Sequence, residues 1–166
     1  MKFTTRKLVS AAMVAAIYAT LTMVLSFSGY GLIQYRIAEA LTVLPAFSSI
    51  HIYSLFVGCM IANLLSPYGW LDIVVGSLAS LLAAIATYYI GKSKLKYKKY
   101  LVPIPSVLFN ALIVGGLLYY EGVAPTFLIG FLHVGWGQIV CAYILGILFY
   151  TLIEKKTILK RVFTGI

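Results

Sequence analysis

The chain has 166 residues, is 62% hydrophobic and 10% charged, and has a mean hydropathy of +1.00. Soluble domains carry about 25% charged residues, so this composition excludes a water-soluble globular protein and points to an integral, all-α membrane protein. A transmembrane barrel would show alternating segments of about ten residues, whereas the apolar runs here are continuous, and the net charge of +9 collects at their ends, which reads as membrane topology rather than nucleic-acid binding.

Six candidate transmembrane helices, within one membrane domain spanning 1–166, fall at 8–27, 37–47, 50–65, 70–91, 101–120 and 126–153. The first follows a basic MKFTTRK start, and Ser26-Phe27-Ser28 loosely resembles a cleavage site. Its apolar run of about 20 residues exceeds the 7–15 of a signal peptide, so it is expected to be a retained helix. Within it, SAAMVAAIYATL places Ala11, Ala12, Ala15, Ala16 and Ala19 at small-xxx-small spacing. Small residues four apart form a flat stripe that lets another helix approach closely. That helix belongs either to this chain or to another membrane subunit.

The second segment lies in QYRIAEALTVLP. Eleven residues at about 1.5 Å rise cover about 16 Å, half of a roughly 30 Å hydrocarbon core. The helix is therefore short, tilted or broken, and irregular backbone at that depth needs protein or a cavity around it. Arg36 and Glu39 stand three residues apart here, about 4.5 Å along an α-helix axis. They form either a mutual ion pair or part of a site, since ionisable groups in a membrane are costly and usually functional. An Arg fork and a carboxylate together suit a planar polar heterocycle.

The third segment closes on IANLLSPYG, with Asn63 and Ser66 near its end. In the fourth, Asp72, Gly76, Ala79 and Ala83 share one face. Asp72 also stands at the helix N-terminus, where a carboxylate suits the dipole. The loop KSKLKYKKY at 92–100 is basic. The adjoining IGKSK lacks the first glycine of a phosphate-binding loop, because position 86 is Ala. In the fifth segment Asn110 and Glu121 are eleven residues apart, about three α-helical turns, and so are expected on one face. The sixth carries FLHVGWGQ, where His133, Trp136 and Gln138 are interleaved with Gly135 and Gly137, a composition that favours a binding wall approached by something flat.

With the N-terminus placed inside, Lys2, Arg6, Lys7, Lys92, Lys94, Lys96, Lys98, Lys99, Lys155, Lys156, Lys160 and Arg161 all fall on the cytoplasmic side. Of the 13 Lys and Arg only Arg36 lies elsewhere. This asymmetry predicts that both termini are cytoplasmic, with Arg36, Glu39, Asp72 and Glu121 toward the outside. Cys59 and Cys141 fall mid-span without CxxC or HxxxH spacing, so buried thiols are expected and no metal site or cofactor. There is no nucleophile elbow, no HExxH and no carboxylate cluster, so an enzyme is not expected.

YRIAEALTVLP, SPYGWLDIVVGSLAS, PSVLFNAL and VGWGQ, taken together and in order, resemble the QueT family, which are substrate-binding S components of energy-coupling factor (ECF) transporters. The resemblance implies a six-helix protein of the prokaryotic plasma membrane without its own ATPase. It implies capture of a queuosine precursor, preQ1 or queuine, from outside for ATP-driven uptake, and rotation in the membrane to deliver it. The implied partners are a transmembrane coupling subunit and two ATP-binding subunits, docked on Ala11, Ala12, Ala15, Ala16 and Ala19, together with membrane lipid, and no nucleic acid. The implied substrate-binding residues are Arg36, Glu39, Asn63, Asp72, Asn110, His133, Trp136 and Gln138. A 7-deazaguanine offers N1–H and a 2-amino group side by side to a carboxylate such as Glu39, an O6 to Arg, Asn or Gln, and flat rings to Trp136. Asp72 or Glu121 would attract the cationic amine, and Glu39 and Asp72 could exchange roles. The competing expectations are an S component for another vitamin or purine-like compound, and a membrane-embedded enzyme.

Overall fold

The computed structural model describes residues 4–25 and 33–164. Lys2, residues 26–27 at the end of the first expected span and the cleavage-like Ser26-Phe27-Ser28 lie outside the described residues. The described residues form seven helices and no strand: α1 (Thr5–Val24), α2 (Ile37–Ala46), α3 (Ile50–Asn63), α4 (Gly69–Lys92), α5 (Lys98–Tyr120), α6 (Phe127–Lys155) and α7 (Thr157–Thr164). Four of them, α1, α4, α5 and α6, are long and apolar enough to cross a membrane. The expected boundaries agree to within a few residues, and the C-terminal helix α7 was not among the expected elements.

The second helix is short as expected, but its type differs. It is a ten-residue 3₁₀-helix with Pro45 inside it. Such helices rarely exceed three or four residues and rise about 2.0 Å per residue, so α2 covers about 20 Å. The tighter winding eclipses positions three apart, and the Glu39 N–H donates to the Arg36 carbonyl at 2.9 Å. The Arg36–Glu39 offset is thus about 6 Å along the axis rather than the α-helical value. The segment is stable at this depth because protein surrounds it: Ala38, Glu39, Leu41, Thr42, Val43, Leu44 and Pro45 are all buried. Helices α1, α3, α4, α5 and α6 all pack near or against it.

The bundle is inverted relative to a soluble protein. Its surface exposes Leu8, Val24, Leu64, Leu128 and Leu148, while Gln34, Arg36, Glu39, Asn63, Asp72, Asn110 and Gln138 are buried. Lipid supplies no hydrogen bonds, so polar side chains must find partners inside. Small residues set the helix crossings. A Cβ on Gly58 of α3 would lie 3.0 Å from the Ala15 carbonyl oxygen and 3.1 Å from Tyr18 Cβ on α1. This crossing divides the alanine stripe. Ala15 and Ala19 are buried inside the bundle, Ala12 and Ala16 are exposed, and Ala11 is half-buried.

Helices α5 and α6 each contain a π-helical stretch, Asn110–Val114 and Ile139–Ile144. The wider turn in α5 corrects the expected Asn110–Glu121 face. The inserted winding breaks the three-turn register, and Glu121 lies past the end of α5, where it is exposed while Asn110 is buried. Helix α7 folds back under α1 and α3. Its Phe163 is buried, and His51 Nε2 donates to the Phe163 carbonyl at 2.6 Å.

Candidate functional site

Around α2, side chains from six helices, α2 included, meet in one buried polar cluster. Its first half is organised by Arg36. The guanidinium donates from Nη2 to Asn63 Oδ1 at 2.8 Å, and the Asn63 amide in turn donates to the Asp72 carbonyl at 2.8 Å. Gly76 leaves room for this approach: a Cβ there would fall 2.7 Å from Asn63 Nδ2 and 2.8 Å from Asp72 Oδ1. The small face of α4 is thereby explained at this level, since Asp72, Gly76, Ala79 and Ala83 are all buried. Cys59 lies against the same group, taking a hydrogen bond from Ser80 Oγ at 3.3 Å, with the guanidinium 3.9 Å away.

The second half is organised by Glu39, which is 1% exposed. Tyr18 Oη donates to Oε1 at 2.5 Å and Ser106 Oγ donates to Oε2 at 3.0 Å. Asn110 Nδ2 donates to the Ser106 carbonyl at 3.0 Å, and Gln138 Oε1 lies 3.5 Å from Ser106 Oγ. An ionised carboxylate has about four acceptor positions. The two hydroxyls occupy two of them, so Glu39 keeps capacity for a further pair of donors.

The electrostatics join the halves. Glu39 and Asp72 both act on the Arg36 guanidinium, and a buried charge is tolerated when it is paired and hydrogen-bonded. At the margin, burial raises the Tyr68 hydroxyl above its usual pKa of 10.0, and Asp72 and Glu121 reinforce the shift.

Of the residues expected at a site, Arg36, Glu39, Asn63, Asp72, Asn110 and Gln138 come together here. His133 and Trp136 do not. Trp136 is 57% exposed, and with Ile33, Leu132 and His133 it lines a separate surface groove of about 240 Å³. His133 Nδ1 stands 2.8 Å from the Ile129 carbonyl of its own helix. The reason is helical phase, since Trp136 and Gln138 are two residues apart, about 200° around the axis. The flat neighbour that Gly137 accommodates is the main chain of Gln34 in the segment leading into α2. Sequence reasoning missed Tyr18, Cys59, Ser80 and Ser106 in this cluster. Ser106 was legible only as part of PSVLFNAL, and Tyr18 was hidden within the alanine stripe.

A family model described as QueT transporter matches residues 8–155. A curated relative, the "Queuosine precursor transporter QueT" of Lactococcus lactis subsp. cremoris (strain MG1363), is 43% identical over 82 residues, covering 48% of this chain and 48% of the relative. The chain thus spans, in alignment, about half the length of the curated relative it matches. No solved structure matches it significantly.

Proposed function

This chain belongs to the QueT transporter family, a family of membrane transporters rather than enzymes, and from that premise we propose that it binds a cationic 7-deazaguanine queuosine precursor, preQ1 or queuine, in the cluster around Glu39. The observation that carries the proposal is the Glu39 carboxylate, buried between the Tyr18 and Ser106 hydroxyls with acceptor capacity to spare. The ligand's N1–H and 2-amino group would use that capacity. Arg36, Asn63, Asn110 and Gln138 supply the donors and acceptors around it. The Asp72 side chain, buried beside Asn63, would face the ligand's protonated amine.

We propose further that the chain is an ECF-type S component, crossing the membrane six times with both termini cytoplasmic. The segregation of 12 of the 13 Lys and Arg from Arg36 supports that orientation. A coupling subunit would dock on the exposed part of the alanine stripe, Ala12 and Ala16, with Ala11 at its edge. Two ATP-binding subunits would power uptake.

Isothermal titration of preQ1 into the purified protein tests the ligand. Saturable binding is expected, and Glu39→Gln should lose about 30-fold or more in affinity, which is about 2 kcal/mol for an unpaired buried hydrogen-bonding group. Unchanged affinity in Glu39→Gln removes this cluster from the site, and co-purification of a different vitamin would replace the ligand.

A further inference from the structure

At the opposite end of α1 from the polar cluster, a second pocket opens between the first turns of α1 and helix α7. It has a volume of about 380 Å³ and is lined by Thr5, Arg6, Val9, Ser10, Met13, Arg161 and Val162. Three observations give it a shared chemistry. Two arginines, one from each helix, face it, and no Asp or Glu occurs in residues 1–20 or 155–166. The first turn of α1 carries no acidic residue, and its N-cap, Thr4, makes no side-chain capping bond, so the positive end of that helix dipole is uncompensated. Ser10, only 5% exposed, lines the pocket with its hydroxyl buried and without a hydrogen-bond partner among the described residues. A buried hydroxyl left unpaired is uncommon and calls for a partner.

We propose that this pocket seats the phosphate headgroup of an anionic membrane phospholipid. Arg6 and Arg161 hold the phosphate, for which the guanidinium fork is suited, and the Ser10 hydroxyl donates to one of its oxygens. The choice of a lipid over a soluble anion follows from the walls. Val9, Met13 and Ile17, four residues apart on one face of α1 and all exposed, continue the headgroup pocket along the helix and take an acyl chain. The bound lipid would staple α7 to α1 from outside, complementing the His51–Phe163 bond that holds α7 from within. This inference does not depend on the identity of the transported molecule.

The test uses the full chain in nanodiscs of equal parts phosphatidylcholine and phosphatidylglycerol, with native mass spectrometry counting the phosphatidylglycerol retained. Arg6→Gln/Arg161→Gln should lower retention about tenfold, the scale of losing charge-assisted hydrogen bonds. Ser10→Ala, which leaves the charges and the apolar packing in place, should lower it about threefold. Lys94→Gln/Lys96→Gln removes equal charge from the loop before α5 and should change retention by less than about twofold, as expected for solvent-screened charges. Equal loss in the loop variant, or unchanged retention in Ser10→Ala, overturns the proposal. Displacement of the lipid by inorganic phosphate also overturns it, in favour of a soluble-anion site.

Discussion

Gln138 and Trp136 stand two residues apart on α6 and occupy different environments. Gln138 is buried with Ser106 and Glu39, while Trp136 stands on the outer surface beside His133. The same contrast runs along α1, where Tyr18 and Ala15 face the core and Ala12 and Ala16 face outward. In this protein polarity lies inside and apolar surface outside. Function built on hydrogen bonds is therefore expected in the interior, and function built on close approach or lipid contact on the surface.

The contrast is sharpest at Arg36. Replacing it with Met would leave two buried carboxylates without their cation, at a cost of about 3–5 kcal/mol, read by denaturant or thermal unfolding in detergent. A loss below about 1 kcal/mol would mean that the cluster is wetter than its burial indicates. Next in size is a paired substitution on α1. Ala15→Leu overpacks the crossing at Gly58 and should destabilise the fold by about 1–3 kcal/mol. Ala16→Leu should stay within about 0.5 kcal/mol, spare preQ1 binding, and fail only in assembly with the coupling subunit. Normal assembly of Ala16→Leu would move the docking face elsewhere. The smallest effect belongs to Trp136→Ala, which should alter stability by less than about 0.5 kcal/mol and leave preQ1 affinity unchanged in titration. A tenfold loss would erase the distinction between the two faces of α6 and return Trp136 to the ligand.

Much of the architecture was legible because lipid imposes one rule on every span. A helix must be long, apolar and internally hydrogen-bonded, so 70–91 and 126–153 could be read by inspection. Local features that depend on winding were less legible. Nothing in IAEALTVLPA distinguishes a 3₁₀-helix from an α-helix except Pro45, and that winding comes from packing on all sides. The π-helical stretches in α5 and α6 carry no residue signature, yet the one in α5 removed Glu121 from the face of Asn110.

Sequence alone singled out Arg36, Glu39, Asn63, Asp72, Asn110 and Gln138, along with His133 and Trp136, because a polar side chain in an apolar run is costly and stands out. It could not pair them. That Arg36 meets Asn63 across 27 positions, that Ser106 meets Glu39 across 67, and that Tyr18 donates to the same carboxylate were decided by tertiary structure. Sequence ranks a residue by the cost of burying it. Only the approach of helices distant in the chain determines which partner offsets that cost, and which polar or aromatic residue, such as Trp136, is left facing outward instead.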